Sequence, residues 1–432
     1  MSDSLVPLEQ TLYHALVPWL NAKCWRVAFS GGLDSSALLH ALWKIAQVHA
    51  VPPIQAVHVE HGLQAVSQTW PAHCAAFCLK RDIAFRAIKV SVANEASIEQ
   101  AARNARYQAF ANLLAEGDVV LLAQHQDDQA ETFLFRALRG AGVQGLAAMA
   151  KARPLGQGYM VRPMLGIARC ELERYAEIQN LVWVEDPSNT DTRFARNFLR
   201  LSIFPQLKQH WPKVAQTMAR SSEHLADAQV LLDELAQEDL IGAQGQQLSF
   251  ALPYPFLMLE PLKRLNPRRQ RNALRFWLRA YTLLPDTEHW AGWEALVAAK
   301  SSATPRWVLG QYTVCRAEER IWLVPSETLL PPLTPMPVVS AQVYLPGNGA
   351  LAVEAADFSG SLGIGYRQGG EVLTLKGRGR RDLKRLFNEL KVPEYIRHRV
   401  PLLRVNDEIV AVANLPTLWQ EGFKLIWTPE TD

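Results

Sequence analysis

Up to about residue 205 the chain alternates short apolar, β-branched runs with longer stretches of helical periodicity. The runs WRVAFS (25–30), IQAVHVEH (54–61), AFRAIKVSV (84–92) and VVLLAQH (119–125) predict strands. Between them, residues 35–49, 67–81 and 97–115 predict helices, the last opened by a capping box of Ser97 with Gln100. Strands alternating with helices form βαβ units, so this part is expected to be α/β with a parallel sheet. From about 204 to 300 the pattern is helical, and WVLGQYTV (307–314) with RIWLVP (320–325) predicts a hairpin. Pro325, Pro331, Pro332, Pro335 and Pro337 then crowd one short stretch, which reads as a linker. The expected organisation is an α/β domain over 1–205, a mainly helical domain over 206–325 and a small α+β domain over 338–432.

Composition narrows the class. With 49% hydrophobic and 20% charged residues, the chain can bury large cores and is not disordered overall. Charges interrupt every apolar stretch well short of the ~18 residues that cross a bilayer, so no membrane protein is expected. The opening MSDSLVPLEQTLYHALVPW carries Asp3 and Glu9 but no early Lys or Arg, so it does not read as a secretory leader. Five cysteines, scattered except for Cys74 and Cys78, form neither a disulfide framework nor a zinc pattern, which fits a cytoplasmic protein. Cys74 and Cys78 share a helix face and are expected to be small buried hydrophobes.

The net charge of +3 conceals a polarised distribution. PLKRLNPRRQRNALRFWLR (261–279) has seven basic residues and no acidic one, and 376–404 has ten basic residues against Asp382, Glu389 and Glu394. Both read as amphipathic helices. In the first, Asn266 caps, Pro267 takes the first helical position, and Leu274, Trp277, Leu278 and Tyr281 form the core face; Arg271, Arg275 and Arg279 form a separate stripe. In the second, Leu383, Leu386, Phe387 and Leu390 form the core face, beside Arg381, Lys384 and Arg385. A single basic run is usually a solvated face, but two with few acidic partners predict contact with nucleic-acid phosphates.

The segment Ser30-Gly31-Gly32-Leu33-Asp34-Ser35-Ser36 carries the most chemistry. It follows a strand and opens a helix, so its glycines permit a sharp turn, while the serine hydroxyls and free helix-start N–H groups can cradle an anion. Asp34 beside a phosphate needs an intervening cation, which assigns it to magnesium. No Gly-Lys-Ser/Thr is present for a Walker loop, and two adjacent glycines do not make a dinucleotide fingerprint. An ordinary glycine-rich turn would account for SGG alone. HQDDQAET (125–132) follows the fourth predicted strand, placing Asp127 and Asp128 at a helix start beside the sheet's carboxyl edge, with Asp128 and Glu131 on one face. One carboxylate there is explained by capping; several exceed that need. Arg103 has Glu99 four residues back as a possible partner, whereas Arg106 lacks one and suits phosphate or carboxylate. His58 and His61 are an odd number of positions apart and point to opposite strand faces, which argues against a shared metal and leaves His61 as a nucleotide contact.

On these residues SGGLDS resembles the loop of PP-loop ATP pyrophosphatases, which split ATP between its α and β phosphates. HVEHGL (58–63), IEQAARNARYQAF (98–110), AQHQDDQAETFLFRALRGAGVQGLAAM (123–149), RPMLGIAR (162–169), EDPSNTDTRFARNFLR (185–200) and GRGRRDLKRLFNELKVPEYIRHRVPLL (377–403) together resemble the tRNA(Ile)-lysidine synthetase family. Glu60, Gln64 and Gln124 depart from that family's common Asn, Arg and His. The resemblance implies an adenine nucleotide α-hydrolase-like first domain, ATP at Ser30, Gly31, Gly32, Leu33, Asp34, Ser35 and His61, and magnesium at Asp34 and Asp128. It implies catalytic roles for Asp34, Asp128, Glu131 and Arg106, with Asp128 and Glu131 holding magnesium or the lysine ammonium. Arg196 and Arg200, on one helical side with Arg193, would face ATP or tRNA; Arg271, Arg275, Arg279, Arg378, Arg380, Arg381, Lys384 and Arg385 would face tRNA. The implied reaction adenylates the wobble cytidine in the CAU anticodon of tRNA(Ile), and free L-lysine displaces AMP. The alternatives are another PP-loop tRNA-modifying enzyme, such as a thiolase (although no C-x-x-C pair occurs), or an RNA-binding protein with a vestigial loop.

Overall fold

The computed structural model describes residues 5–60, 69–91, 98–245, 254–285, 288–300, 303–330, 335–338, 340–355, 361–375, 377 and 379–430. They fall into two compact units, 1–230 and 231–432.

In the first unit, α1 (Pro7–Leu16) precedes β1 (Cys24–Ala28), α2 (Leu33–Val48), β2 (Ile54–Glu60), α3 (Trp70–Leu79), β3 (Ala84–Lys89), α4 (Ile98–Leu113) and β4 (Asp118–Leu121). The four predicted strands are all present. Next come α5 (Gln126–Ala137), a short α6 (Val143–Leu146), the hairpin of β5 (Ala152–Leu155) and β6 (Gly158–Val161), and α7 (Arg169–Ile178). The sheet order is β3-β2-β1-β4-β6-β5, parallel except where β5 pairs with β6. Apolar residues of β1 and β4 (Trp25, Val27, Val119, Leu121) pack under α2 with Leu38, Leu42 and Ile45, and helix-covered faces are what a parallel sheet requires. Because strand order reverses at β1, the loops after β1 and β4 open into one crevice at the carboxyl edge. Ser97, the first member of the predicted capping box, lies outside the described residues. After α7 come a four-residue α8 (Ala195–Phe198), a π turn (Leu199–Ile203), α9 (Phe204–His210) and the 28-residue α10 (Val214–Ile241), within which the two units divide.

The second unit contains β7 (Phe256–Met258), α11 (Leu259–Arg264), α12 (Pro267–Leu278), α13 (Trp290–Ala298), β8 (Arg306–Leu309), β9 (Tyr312–Ala317) and β10 (Arg320–Pro325), with sheet order β7-β10-β9-β8. The predicted hairpin is present as β9 with β10, but the run WVLGQYTV is not one strand. It breaks at Gly310, whose φ of +63° makes the turn between β8 and β9, and β10 extends the sheet. Side-chain alternation gives β10 two buried faces. Ile321 and Leu323 join Leu274, Leu278, Trp293 and Leu296 of the helices, while Trp322 and Val324 join the core of the following β-rich segment. That segment holds one four-stranded, one three-stranded and one two-stranded sheet among the described residues, and a single helix of note, α14 (Leu383–Glu389). Pro331 and Pro332 of the proline-rich stretch lie outside the described residues.

Candidate active site

The loop after β1 is built by its glycines. Gly31 has φ of +85°, and a Cβ there would sit 3.0 Å from Cys74 Sγ and 3.2 Å from Val184 Cγ2. Its carbonyl accepts from Val184 N–H at 2.9 Å, and Gly32 is the N-cap of α2. The Ser30 and Ser35 hydroxyls share a hydrogen bond of 3.0 Å, and Ser35 also donates to the Gly32 carbonyl at 3.1 Å, which fixes the turn before any ligand arrives. Cys74 and Cys78 are buried behind the loop, and burial pushes both thiols up to about 12, so they pack as apolar groups. His58 is also buried and faces the Phe29 carbonyl at 2.8 Å, which places it behind the loop. His61 lies outside the described residues.

The loop after β4 brings His125 to the N-cap of α5. Its Nδ1 accepts from Asp128 N–H at 3.4 Å, and the Asp128 carboxylate accepts from His125 N–H at 3.1 Å, a reciprocal cap. On its other side, His125 Nε2 lies 3.6 Å from Asp34 and 3.5 Å from Asp128, so the imidazole bridges the two loops. Burial opposes charging this ring, but the carboxylates of Asp34, Asp128 and Asp127 outweigh it and hold its pKa above the ordinary value. Asp127 points elsewhere, accepting from Lys208 Nζ at 2.8 Å and from Arg169 N–H at 3.2 Å, and so ties α5 to α7 and α9.

Asp128 and Glu131 are the acidic pair that sequence spacing placed on one helix face. Glu131 is buried and Asp128 half-buried, and their counter-charges are Arg196 and Arg200. Glu131 accepts from Arg200 at 2.7 and 2.9 Å and from Arg196 at 3.2 Å; Asp128 accepts from Arg200 at 2.9 Å and from Arg196 at 3.4 Å. Arg196 and Arg200, expected to face ATP or tRNA, here make inward ion pairs, because α8 and the π turn that follows it lie against α5. Arg193 leaves the stripe altogether, precedes α8 and pairs with Asp191 at 2.7 Å on the surface.

Beside this quartet lies a group of arginines with no carboxylate partner among the described residues. Arg103 and Arg153 sit 5.0 and 5.4 Å from the Tyr107 ring. Arg136 and Arg162 are held by carbonyls instead, Arg136 by Gly145 and Ala148, Arg162 by Ala150, and Arg162 also donates to Gln124. Arg106 is exposed on the same side of α4, within electrostatic reach of Arg103 and Arg196. Burial would raise the Tyr107 phenol, but Arg103, Arg162 and Arg106 outweigh it and lower its pKa. Sequence reasoning noticed Gln124 only as a departure and missed Arg162 and Lys208. No local signal pairs residues 38 or 81 positions apart.

In the second unit Asn266 caps α12 as expected, its side chain accepting from Arg268 and Arg269 N–H. Leu274 and Leu278 are buried, but Trp277 is half-buried and Tyr281 lies beyond the helix and is exposed. The stripe is less free than its sequence suggested. Arg271 pairs with Glu294 at 3.0 Å, Arg279 with Asp233 at 2.5 Å, and Arg275 sits 5.7 Å from the Trp290 ring. The second basic segment is only partly helical. Arg380 and Arg381 lie on a strand (Gly379–Asp382) paired with Val372–Leu375, Asp382 caps α14, and only Lys384 and Arg385 ride on the helix. These four are exposed, Leu383, Leu386 and Phe387 are buried as expected, and Arg378 lies outside the described residues.

One test of a metal site comes from unsatisfied atoms. Asp34 Oδ1 is buried without a hydrogen-bond partner, as is His125 Nε2. An orphaned carboxylate oxygen in a phosphate-shaped loop fits a hard cation. Asp128 fits less well, since its oxygens already meet Arg200, Arg196 and the His125 N–H. Among the described residues no three His, Cys, Asp or Glu side chains form a metal cluster, and no helix is long and apolar enough to cross a membrane.

A parallel sheet whose first strand turns through SGGLDS into a helix, with an acidic helix start across the crevice, defines a PP-loop ATP-binding domain. A family model described as a PP-loop domain matches residues 5–207. Two more, described as the TilS substrate binding domain and the TilS substrate C-terminal domain, match 257–322 and 362–424. The chain is 52% identical to a tRNA(Ile)-lysidine synthase of Pseudomonas aeruginosa, over 99% of this chain and 98% of the relative. It is 51% identical to one of Pseudomonas putida (96% and 98%) and 37% identical to one of Legionella pneumophila (89% and 90%). The chain belongs to the tRNA(Ile)-lysidine synthase family.

Proposed function

We propose that the first unit adenylates the C2 carbonyl oxygen of the wobble cytidine in the CAU anticodon of tRNA(Ile). An amine of free L-lysine then attacks C2, loses a proton and expels AMP. The observation that carries this reading is the pre-folded loop of Ser30, Gly31, Gly32, Leu33, Asp34 and Ser35, which sets Asp34 Oδ2 3.6 Å from His125 Nε2 across the crevice and leaves Asp34 Oδ1 buried without a hydrogen-bond partner. Free N–H groups at the start of α2 suit the leaving pyrophosphate. Magnesium held by Asp34 would neutralise phosphate charge, with Asp128 as a second ligand where its ion pairs open. Arg106, exposed and lacking an ion pair among the described residues, suits an RNA or nucleotide phosphate. Arg271, Arg275, Arg279, Arg380, Arg381, Lys384 and Arg385 suit contacts that position RNA without reading its sequence. The domain division at 1–205, 206–325 and 338–432 and a cytoplasmic location belong to the same reading.

The test is to mix the chain with ATP, labelled lysine and tRNA(Ile). Pyrophosphate release that requires the tRNA, with label entering it, is the expected result. Release supported by a sulfur donor would point to thiolation, and tight binding without release to a vestigial loop.

A further inference from the structure

The acidic pair in the crevice is electrically closed. Asp128 and Glu131 contribute two negative charges, Arg196 and Arg200 two positive ones, and all four are less than one-third exposed. Glu131 is 3% exposed and receives three guanidinium hydrogen bonds. An alkylammonium entering this quartet would add an uncompensated charge at a desolvated site, which is strongly unfavourable. It can bind only where a guanidinium leaves.

Two features bear on how one leaves. Arg103, Arg106, Arg136, Arg153 and Arg162 stand on the neighbouring side without carboxylate partners among the described residues, so polyanion is drawn to the place nearest Arg196. Arg200 itself lies in the π turn Leu199–Ile203, irregular helix of the kind that recurs at functional sites. We propose that Arg196 and Arg200 are internal counter-cations that exclude the lysine ammonium until an RNA phosphate draws them off Asp128 and Glu131. They are thus positioning residues that couple RNA occupancy to lysine affinity. This rests on the reading of lysine as co-substrate.

Equilibrium dialysis of labelled lysine against the full chain, without ATP, reads the coupling. Saturating tRNA(Ile) should tighten lysine binding by roughly 5- to 150-fold, and lysine should tighten tRNA binding by the same factor. In Arg196→Gln/Arg200→Gln, lysine should bind tightly without RNA, and added RNA should change its affinity less than about 2-fold. Arg196→Lys/Arg200→Lys keeps the charges and should keep the coupling. If the neutral variant does not fold, the wild-type comparison still decides. Equal lysine affinity with and without RNA overturns the proposal, and so does undetectable lysine binding in both. Turnover with labelled lysine separates the failures: incorporation without coupling sinks this inference alone, while no incorporation sinks the co-substrate reading with it.

Discussion

Replacing Gly31 by alanine tests the loop at the point where its shape is least forgiving. Gly31 sits at φ +85°, where an L-residue with a Cβ is disfavoured by about 1–2 kcal/mol. The new methyl would also meet Cys74 Sγ at 3.0 Å and Val184 Cγ2 at 3.2 Å. Cys74 is buried, so relief requires backbone movement, at about 1–3 kcal/mol for overpacking. Together that is about 2–5 kcal/mol against the phosphate-ready turn, or a loss of roughly 30- to 4,000-fold in kcat/KM for ATP at 1.4 kcal/mol per decade. Gly32 supplies the control. Its φ of −75° suits any residue, and a Cβ there meets only Ser30 Oγ at 3.5 Å and Val184 O at 3.8 Å, ordinary contacts. Gly32→Ala should therefore leave thermal stability unchanged, and any drop in turnover measures how closely the phosphates approach that backbone. Both variants are read by tRNA-dependent pyrophosphate release over a range of ATP concentrations, beside a melting curve. Full activity in Gly31→Ala, or a destabilised Gly32→Ala, would refute the reasoning.

Three other outcomes are expected. Asp34→Ala should abolish pyrophosphate release while leaving tRNA affinity nearly intact, measured by filter binding; equal loss of both would remove Asp34 from the metal assignment. Arg275→Ala should reduce the slope of log tRNA affinity against log salt by about 0.7–0.9, one phosphate contact. Arg271→Ala should change it less, since Arg271 already pairs with Glu294, and an unchanged slope in both would make α12 a solvated surface. His40 is buried against Tyr175 Oη at 2.9 Å, and burial first, then Arg81 and Lys44, lower its pKa to about 4. Between about pH 6.5 and 4 the unfolded chain then binds the proton that the folded chain refuses, so stability falls with falling pH by roughly 3 kcal/mol across that window. Melting curves of His40→Gln should be flatter there than wild type, and parallel curves would show that His40 does not set that loss.

What was legible in the sequence was what neighbouring residues decide. The strands at 24–28, 54–60, 84–89 and 118–121 announce themselves by composition, and the SGGLDS turn by glycines that a strand-to-helix junction needs. Asn266 as a cap, and Cys74 and Cys78 as buried thiols, follow from equally local rules. What was hidden was the identity of opposing charges. Helical spacing put Arg196 and Arg200 on one side, but nothing near them in sequence says that Glu131, 65 and 69 residues earlier, lies across from that side. The same holds for Asp233 and Glu294, which made the arginine stripe of α12 look freer than it is. The second basic segment was misread as continuous helix for another reason. Gly377 and Gly379 adopt φ of +76° and +65°, and strand pairing with 372–375 overrides the local helical preference of Arg380 and Arg381.

The two-faced strand β10 has a mechanical consequence. Leu274 and Leu278 anchor α12 in the core on one of its faces, and Leu383, Leu386 and Phe387 anchor α14 in the core on the other. Neither basic helix can swivel without tearing Ile321 and Leu323, or Trp322 and Val324, from its packing. On the proposed reading of these stretches as RNA contacts, the second unit is a gauge of fixed gap: an RNA must bring phosphates already spaced to match it, and a polyanion of the wrong breadth engages one cationic stretch at a time.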